Sequence, residues 1–211
     1  MGGTSKIWLT FEGRFVLEWT LARFQEAGVS SGVVVAQVGD HAKIAALVAS
    51  LGLEFAVAAG GAERYLSVQE GLKALSRVTP EDIVLIHDAA RCLVSSALIG
   101  HVAKAAQEFG AALPVLEVVD TVKTISPEGF VAGTVPRHTL GLAQTPQGFR
   151  KSLIEEAYRR WPPDRVPTDD AEVAEQAGIP VRAVAGERHN LKLTRPEDIP
   201  WFEALLKGRN A

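Results

Sequence analysis

The side chains able to do chemistry are scattered along this chain. The most informative acid is Asp88, in the stretch Ile83-Val-Leu-Ile-His-Asp-Ala-Ala-Arg91. Four apolar residues rich in β-branching read as a buried strand, most often a parallel one. Asp88 then lies at the strand's carboxyl edge, where open α/β sheets bind ligands. A hard oxygen there suits Mg²⁺. It suits equally well as the cap of a following helix, and the stretch alone leaves both open. Four cations, Lys6, Arg91, Arg137 and Lys192, fall in loops or at strand ends. Each either faces solvent or serves an anion. Lys192 alternates with Leu191 and Leu193, so its side chain is expected to point away from theirs.

Gly60-Gly61, with Arg64 and Ser67, forms a glycine-rich strand-to-helix turn. Such a turn can offer backbone N–H groups to phosphate or ribose, although tight turns use paired glycines for conformation alone. Thr121, Thr145 and Thr168 place hydroxyls in loops, where turn and cap roles are ordinary. The five histidines follow no Ser–His–Asp order. His87 reads as a packed or hydrogen-bonded residue, and no Cys/His cluster has zinc spacing.

Positioning these groups falls to alternating elements. Residues 18–26, 41–51, 67–77 and 95–108 carry apolar side chains at helical spacing, and residues 33–38, 54–58, 83–86 and 111–115 read as strands. Strands alternating with helices of this length mean βαβ units, a parallel sheet and right-handed crossovers. The rhythm breaks at residues 120–124 and 130–135, two short extended segments joined by Ser126-Pro-Glu-Gly129. That turn chemistry predicts a hairpin projecting from the sheet, and an isolated two-stranded ribbon suits a dimer contact. Gln144-Thr-Pro-Gln147 reads as a polar loop, followed by a helix over 151–159. Thr168 is a candidate N-cap for the next helix, residues 181–184 a strand, and 191–193 a short extended piece. Thr194 is a candidate cap for the last helix, with Pro196 in its first turn. The reading is one α/β domain over 1–211: doubly wound, Rossmann-like and mostly parallel, with an arm at about 118–139.

Composition narrows the class. Of 211 residues, 47% are hydrophobic and 22% charged, as in an ordinary globular protein. A net charge of −3 gives no electrostatic case for nucleic acid. No apolar run approaches the roughly 20 residues of a membrane helix, and no signal peptide is evident at the start. Cys92 is the only cysteine, expected to be small and buried, and a reducing, cytoplasmic setting is compatible with it. The residues alone reach an α/β protein that binds a small anionic ligand at its strand ends, with a metal, and do not reach a substrate.

Taken in order, several segments resemble 2-C-methyl-D-erythritol 4-phosphate cytidylyltransferases: Leu17-Glu-Trp-Thr20, Gly60-Gly-Ala-Glu-Arg64 with Ser67, His87-Asp-Ala-Ala-Arg91, Asp120-Thr-Val-Lys123, Val135-Pro-Arg137, Gln144-Thr-Pro-Gln-Gly-Phe149, Thr168-Asp-Asp170 and Asn190-Leu-Lys-Leu-Thr-Arg-Pro-Glu-Asp198. The resemblance covers residues 1 to about 206. It implies that CTP and methylerythritol phosphate give the CDP-alcohol and pyrophosphate, with Mg²⁺ as cofactor. It implies that Lys6 stabilises the transition state, that Asp88 lies at the metal, and that Arg137 and Lys192 hold the alcohol phosphate. Thr121, Thr145 and Thr168 would supply hydroxyl contacts to that substrate. Gly61, Ser67, Ala89 and Arg91 would lie on the nucleotide side, with Gly2 and Gly3 as the remnant of a triphosphate loop. It also implies a homodimer whose arm completes the neighbour's site.

Three departures accompany the resemblance. Family members carry a first strand and a glycine-rich loop ahead of the position of Met1, so the natural chain is expected to begin upstream. A chain starting at Met1 would bind CTP weakly and turn over little. Ala62 stands where an acid is common, and Cys92 where proline is usual. The competing expectations are a cytidylyltransferase for another polyol phosphate, such as ribitol 5-phosphate, and a non-catalytic nucleotide-binding homologue.

Overall fold

The structure, a computed structural model, describes residues 6–209. A short 3-10 turn and the small ribbon β1 (Thr10–Phe11) and β2 (Arg14–Phe15) lead into helix α1 (Val16–Glu26). Then come β3 (Ser31–Ala36), α2 (His41–Ser50), β4 (Glu54–Ala59), α3 (Arg64–Ala74), β5 (Ile83–Ile86), α4 (Ser96–Phe109) and β6 (Ala111–Glu117). The hairpin β7 (Val122–Ile125) and β8 (Val131–Val135) is followed by β9 (Gly141–Ala143), β10 (Gln147–Arg150), α5 (Lys151–Arg160), α6 (Asp170–Gln176), β11 (Arg182–Ala185) and α7 (Ile199–Arg209).

The main sheet runs β11-β6-β10-β5, with β9 pairing on β6. Strand β10 is antiparallel to both β5 and β6, while β11 is parallel to β6. Strands β5, β6 and β11 thus share one direction, and β3 and β4 pair in parallel by themselves. The architecture is the expected α/β one, mostly but not purely parallel. Alternation along the strands covers both faces. Val84 joins the cluster of Phe149, Ile154, Tyr158 and Val173, whereas Ile83 and Leu85 join that of Phe24, Leu98, Val102 and Ala112. Such two-sided burial is why these strands read as apolar runs. Helix α4 lies directly on β10 because Gly148 permits it: a Cβ there would come within 3.0 Å of Val102 Cγ1 and 3.1 Å of Ala106 Cβ.

Among the described residues, the β3–β4 pair has no ladder to the main sheet. A cavity of about 820 Å³ lies between β3 and β5, roofed by Leu17 and Phe24 of α1 and floored by Val68 and Leu72 of α3. Consecutive residues of β3 line it, from Ser31 to Val35, as do Ile83 to Ile86 of β5. Successive side chains point to opposite faces, so an unbroken run of lining residues means that the strand edge itself looks in.

Several local expectations are corrected. The loop predicted around residue 147 gives way at Gln147 to strand β10. Asp88 caps no helix: residues 89–95 are turns and coil, and α4 is capped by Ser95, whose Oγ accepts from Leu98 N at 3.0 Å. The cap of α6 is Asp169 rather than Thr168, with Asp169 Oδ1 accepting from Glu172 N. Thr194 caps nothing either. Its N–H and hydroxyl both donate to Asp198 Oδ2, and the last helix opens with the 3-10 turn Pro196–Asp198. The hairpin forms as expected and, among the described residues, pairs only with itself. Its apolar residues Ile125, Phe130 and Val131 are exposed.

Candidate active site

Strand β5 ends at Ile86 and hands the chain to His87 and Asp88. The imidazole is half-buried and fixed at both nitrogens. Its Nε2 lies 3.3 Å from the Arg91 carbonyl, an acceptor, so Nε2 carries the proton. Nδ1 must then accept, and Thr145 Oγ1 is 3.0 Å away to donate. The same threonine oxygen accepts the Asp88 N–H at 3.1 Å. Burial pushes the imidazole down to about 4 in spite of the neighbouring Asp88 carboxylate, so the ring is neutral. His87 is therefore a strut under Asp88, and the hydroxyl of Thr145 already both donates and accepts.

Three cations converge on Asp88. Lys192 Nζ lies 2.8 Å from Oδ2, Arg64 Nε 3.2 Å from Oδ1, and Arg91 Nε 3.8 Å from Oδ2. Burial alone would raise this carboxyl, but Lys192 and Arg64 outweigh it and hold it below the usual carboxylate range. Arg64 also pairs with the buried Asp170 at 2.8 Å. Three guanidinium and ammonium groups against two carboxylates leave the cluster one positive charge in excess. Arg91 Nε is buried without a hydrogen-bond partner among the described residues.

The loop carrying Lys192 is held by a buried amide layer. Gln144 Nε2 donates to the Glu187 carbonyl at 2.9 Å and its Oε1 accepts from Glu187 N at 3.1 Å. Asn190 Nδ2 donates to the Thr145 carbonyl at 2.8 Å, and Arg91 Nη1 to the Asn190 carbonyl at 2.8 Å. Leu193, fully buried, donates its N–H to the Ala90 carbonyl. Leu193 is turned inward and Lys192 faces Asp88, while Leu191 is exposed, so residues 191–193 do not alternate as a strand would. Lys6 belongs to the same neighbourhood: its Nζ donates to the Thr194 carbonyl at 2.6 Å.

On the other side, Gly60-Gly61 turns the chain from β4 into α3. A Cβ on Gly61 would sit 2.4 Å from that of Leu66, so only glycine fits against the first turn of α3. Ser67 Oγ pins the turn, accepting from Gly61 N at 3.1 Å and donating to the Glu63 carbonyl at 3.2 Å. Ala89 offers its carbonyl to the Thr20 hydroxyl at 2.8 Å, tying α1 to the site.

The remaining expected site residues make local contacts in this chain. Arg137 turns back to the Val119 carbonyl at the base of the hairpin, and Thr121 immediately precedes β7. Thr168 bonds to Glu172 through both N–H and hydroxyl, at the exposed start of α6. Gly2 and Gly3 fall outside the described residues.

The family model for IspD, 2-C-methyl-D-erythritol 4-phosphate cytidylyltransferase, matches residues 1–208. The chain belongs to the IspD family. A bifunctional enzyme IspD/IspF of Rhodopseudomonas palustris (strain TIE-1) is 42% identical over 207 residues, covering 97% of this chain and 52% of that protein. The chain thus spans about half the length of the curated relatives it matches. The crystal structure of 2-C-methyl-D-erythritol 4-phosphate cytidylyltransferase from Thermus thermophilus superposes with a TM-score of 0.82 at 38% identity, covering 97% of this chain and 95% of that one. The 4-diphosphocytidyl-2C-methyl-D-erythritol synthase of Anaerococcus prevotii DSM 20548 gives 0.86 at 31% identity, covering 94% and 88%.

As an IspD chain, the protein offers a cation little by itself. Among the described residues no three His, Cys, Asp or Glu side chains come together to hold a metal. The donor set fits Mg²⁺ of one kind, an ion held mainly by phosphate oxygens and water with a single carboxylate, Asp88. Sequence reasoning missed much of the IspD site's scaffold: Asp170, Gln144 and Asn190 were given no role, and Arg64 was noted only as part of the glycine turn. Arg64 meets Asp170 across 106 positions of sequence, a separation at which local pattern carries no signal.

Proposed function

We propose that this chain transfers a cytidylyl group from CTP to 2-C-methyl-D-erythritol 4-phosphate. An oxygen of the alcohol phosphate attacks the α-phosphorus of CTP, the bond to the β-phosphate breaks, and pyrophosphate leaves. Such chemistry rests on positioning and on offsetting charge. The observation that carries the reading is the positive excess around Asp88 at the end of β5, in a chain of this family. Family membership favours methylerythritol phosphate over ribitol 5-phosphate.

In this reading Lys6 offsets charge at the α-phosphate, and Lys192 exchanges Asp88 for the alcohol phosphate. Gly61, Ser67, Ala89 and Arg91 line the nucleotide side, with Gly2 and Gly3 ahead of them. Asp88 would be the protein ligand of Mg²⁺, which would neutralise triphosphate charge. Thr145 acts by holding Asp88 and His87, and its hydroxyl is available to substrate only on leaving one of them. Arg137 and Thr121, on the arm, act in the site of a second copy, and the exposed Ile125, Phe130 and Val131 support a homodimer through that arm. Thr168 supplies a further hydroxyl contact to the substrate. No described helix is long and apolar enough to cross a membrane, and the working location is the cytoplasm.

The test is pyrophosphate release from CTP, Mg²⁺ and the alcohol phosphate. Lys6→Ala is expected to lower kcat by about 100-fold or more. Lys192→Ala is expected to raise KM for the alcohol phosphate as well. Wild-type rates in both variants would refute the assignment.

A further inference from the structure

Among the described residues, Asp170 is the only charged residue that is fully buried. A carboxylate removed from water needs both oxygens satisfied. Oδ2 accepts from Arg64 Nη2 at 2.8 Å and Oδ1 from the Tyr158 hydroxyl at 2.5 Å. Burial and the Asp170 charge push the Tyr158 phenol well above its usual range, which keeps it a donor. The guanidinium is planar, so fixing one edge fixes the other. Held by Nη2 on Asp170, Arg64 presents Nε to Asp88 Oδ1 at 3.2 Å. The other two cations on Asp88 are held differently. Lys192 reaches it from a loop, with its side chain 44% exposed against 37% for Arg64, and Arg91, at 3.8 Å, makes an ionic contact without a hydrogen bond. Among the described residues, Arg64 alone of the three is tied to a second carboxylate, and that carboxylate is buried in another helix.

We propose that Arg64 is a positioning residue: anchored by Asp170 and Tyr158, it holds Oδ1 of Asp88 and so orients Oδ2 toward Lys192 and the ligands that exchange with it. The consequence for turnover rests on the cytidylyl-transfer reading; the geometric consequence does not. Asp170 and Tyr158 then matter to the reaction although neither touches a reacting atom.

A double-mutant cycle separates positioning from general support. D170N is expected to lower kcat per folded molecule about 10-fold, yet by less than about 2-fold in a D88N background, because the carboxylate it orients is gone. Y158F, which keeps the ion pair, should act in the same direction and more weakly, and it carries the same cycle if D170N does not fold. R64K keeps the charge without the fork and should fail to restore the rate. Equal losses in both backgrounds would overturn the proposal, as would a wild-type kcat in D170N. A crystal structure of D170N reads the geometry without turnover: Arg64 is expected to leave Asp88, and an intact 3.2 Å contact would overturn the proposal. A wild-type chain that releases no pyrophosphate would sink the cytidylyl-transfer reading and leave this crystallographic arm to decide on Arg64.

Discussion

Asp88 is held in a fixed position because a neutral ring stands behind it. The relay Asp88 N–H to Thr145 Oγ1, Thr145 hydroxyl to His87 Nδ1, and His87 Nε2–H to the Arg91 carbonyl has one consistent set of protons. Protonating His87 would set two donors against each other at Thr145. Burial opposes the charged ring, as does nearby Arg91, while Asp88 favours it, and the balance falls at about 4 against the ordinary 6.5. The sign of the pH effect follows. Between these values the unfolded chain takes a proton that the folded chain refuses, so stability is full above about pH 6.5 and declines toward pH 4. The decline is expected to reach about 2 to 3 kcal/mol. Denaturant unfolding across that range should show it, and His87→Gln should flatten it; an unchanged slope would remove His87 as the cause. Asp88 contributes in the same direction but lower, since its depressed carboxyl loses its charge only below the usual carboxylate range. His87, Asp88, Arg91 and Lys192 were all legible as residues at strand or loop ends. The long-range contacts of His87, Asp88 and Arg91 were not, because hydrogen-bond partners 57 to 99 positions away leave no trace in local spacing.

Strand β10 is the element that sequence reading lost, and it organises the centre of the sheet. Its four residues are too few to show a period, and they open on a glutamine and a glycine that resemble loop. The structure gives a reason for each. Gly148 lets α4 approach the sheet. Gln147, 1% exposed, donates from Nε2 to Asp169 Oδ2 at 2.8 Å and accepts from Ala171 N at 2.9 Å, so one side chain docks the start of α6 against the sheet. Docking α6 also places Asp170 under Arg64. Gln147→Leu keeps the size and removes both bonds, leaving the buried Ala171 N–H unpaired. An orphaned donor of this kind costs about 1–3 kcal/mol. The variant is expected to lose that much in urea unfolding and to show weakened activity through Asp170, whereas a loss under about 0.5 kcal/mol would mean that water replaces the amide. Long elements fared better: α1, α2 and α4 carry a full apolar stripe, and their expected spans hold to within a residue or two.

At the scale of the whole molecule the sheet is divided, and the division has a measurable consequence. In β3 and β5, one edge is paired and the other faces the cavity. Backbone N–H groups along a strand point alternately to its two edges, so every second amide of β3 and β5 lacks a ladder partner among the described residues. Strand β6 differs, since β11 pairs on one edge and β10 and β9 on the other. The slot is bordered by these two strand edges and covered by α1 on one face and α3 on the other. Exchange of amide hydrogens is governed by opening of their bonds. Alternate amides of β3 and β5 are therefore expected to exchange much faster than their neighbours, while those of Ala112, Leu113 and Val115 in β6 stay uniformly slow. Residue-resolved exchange measurements distinguish the possibilities. An alternating pattern places water in the slot and makes the β3–β4 pair, with the glycine turn it carries, the least stable part of the site. Uniform protection along β3 would mean that its second edge is paired in solution, which would join the two sheets and carry Gly61 and Ser67 on the same rigid frame as Asp88.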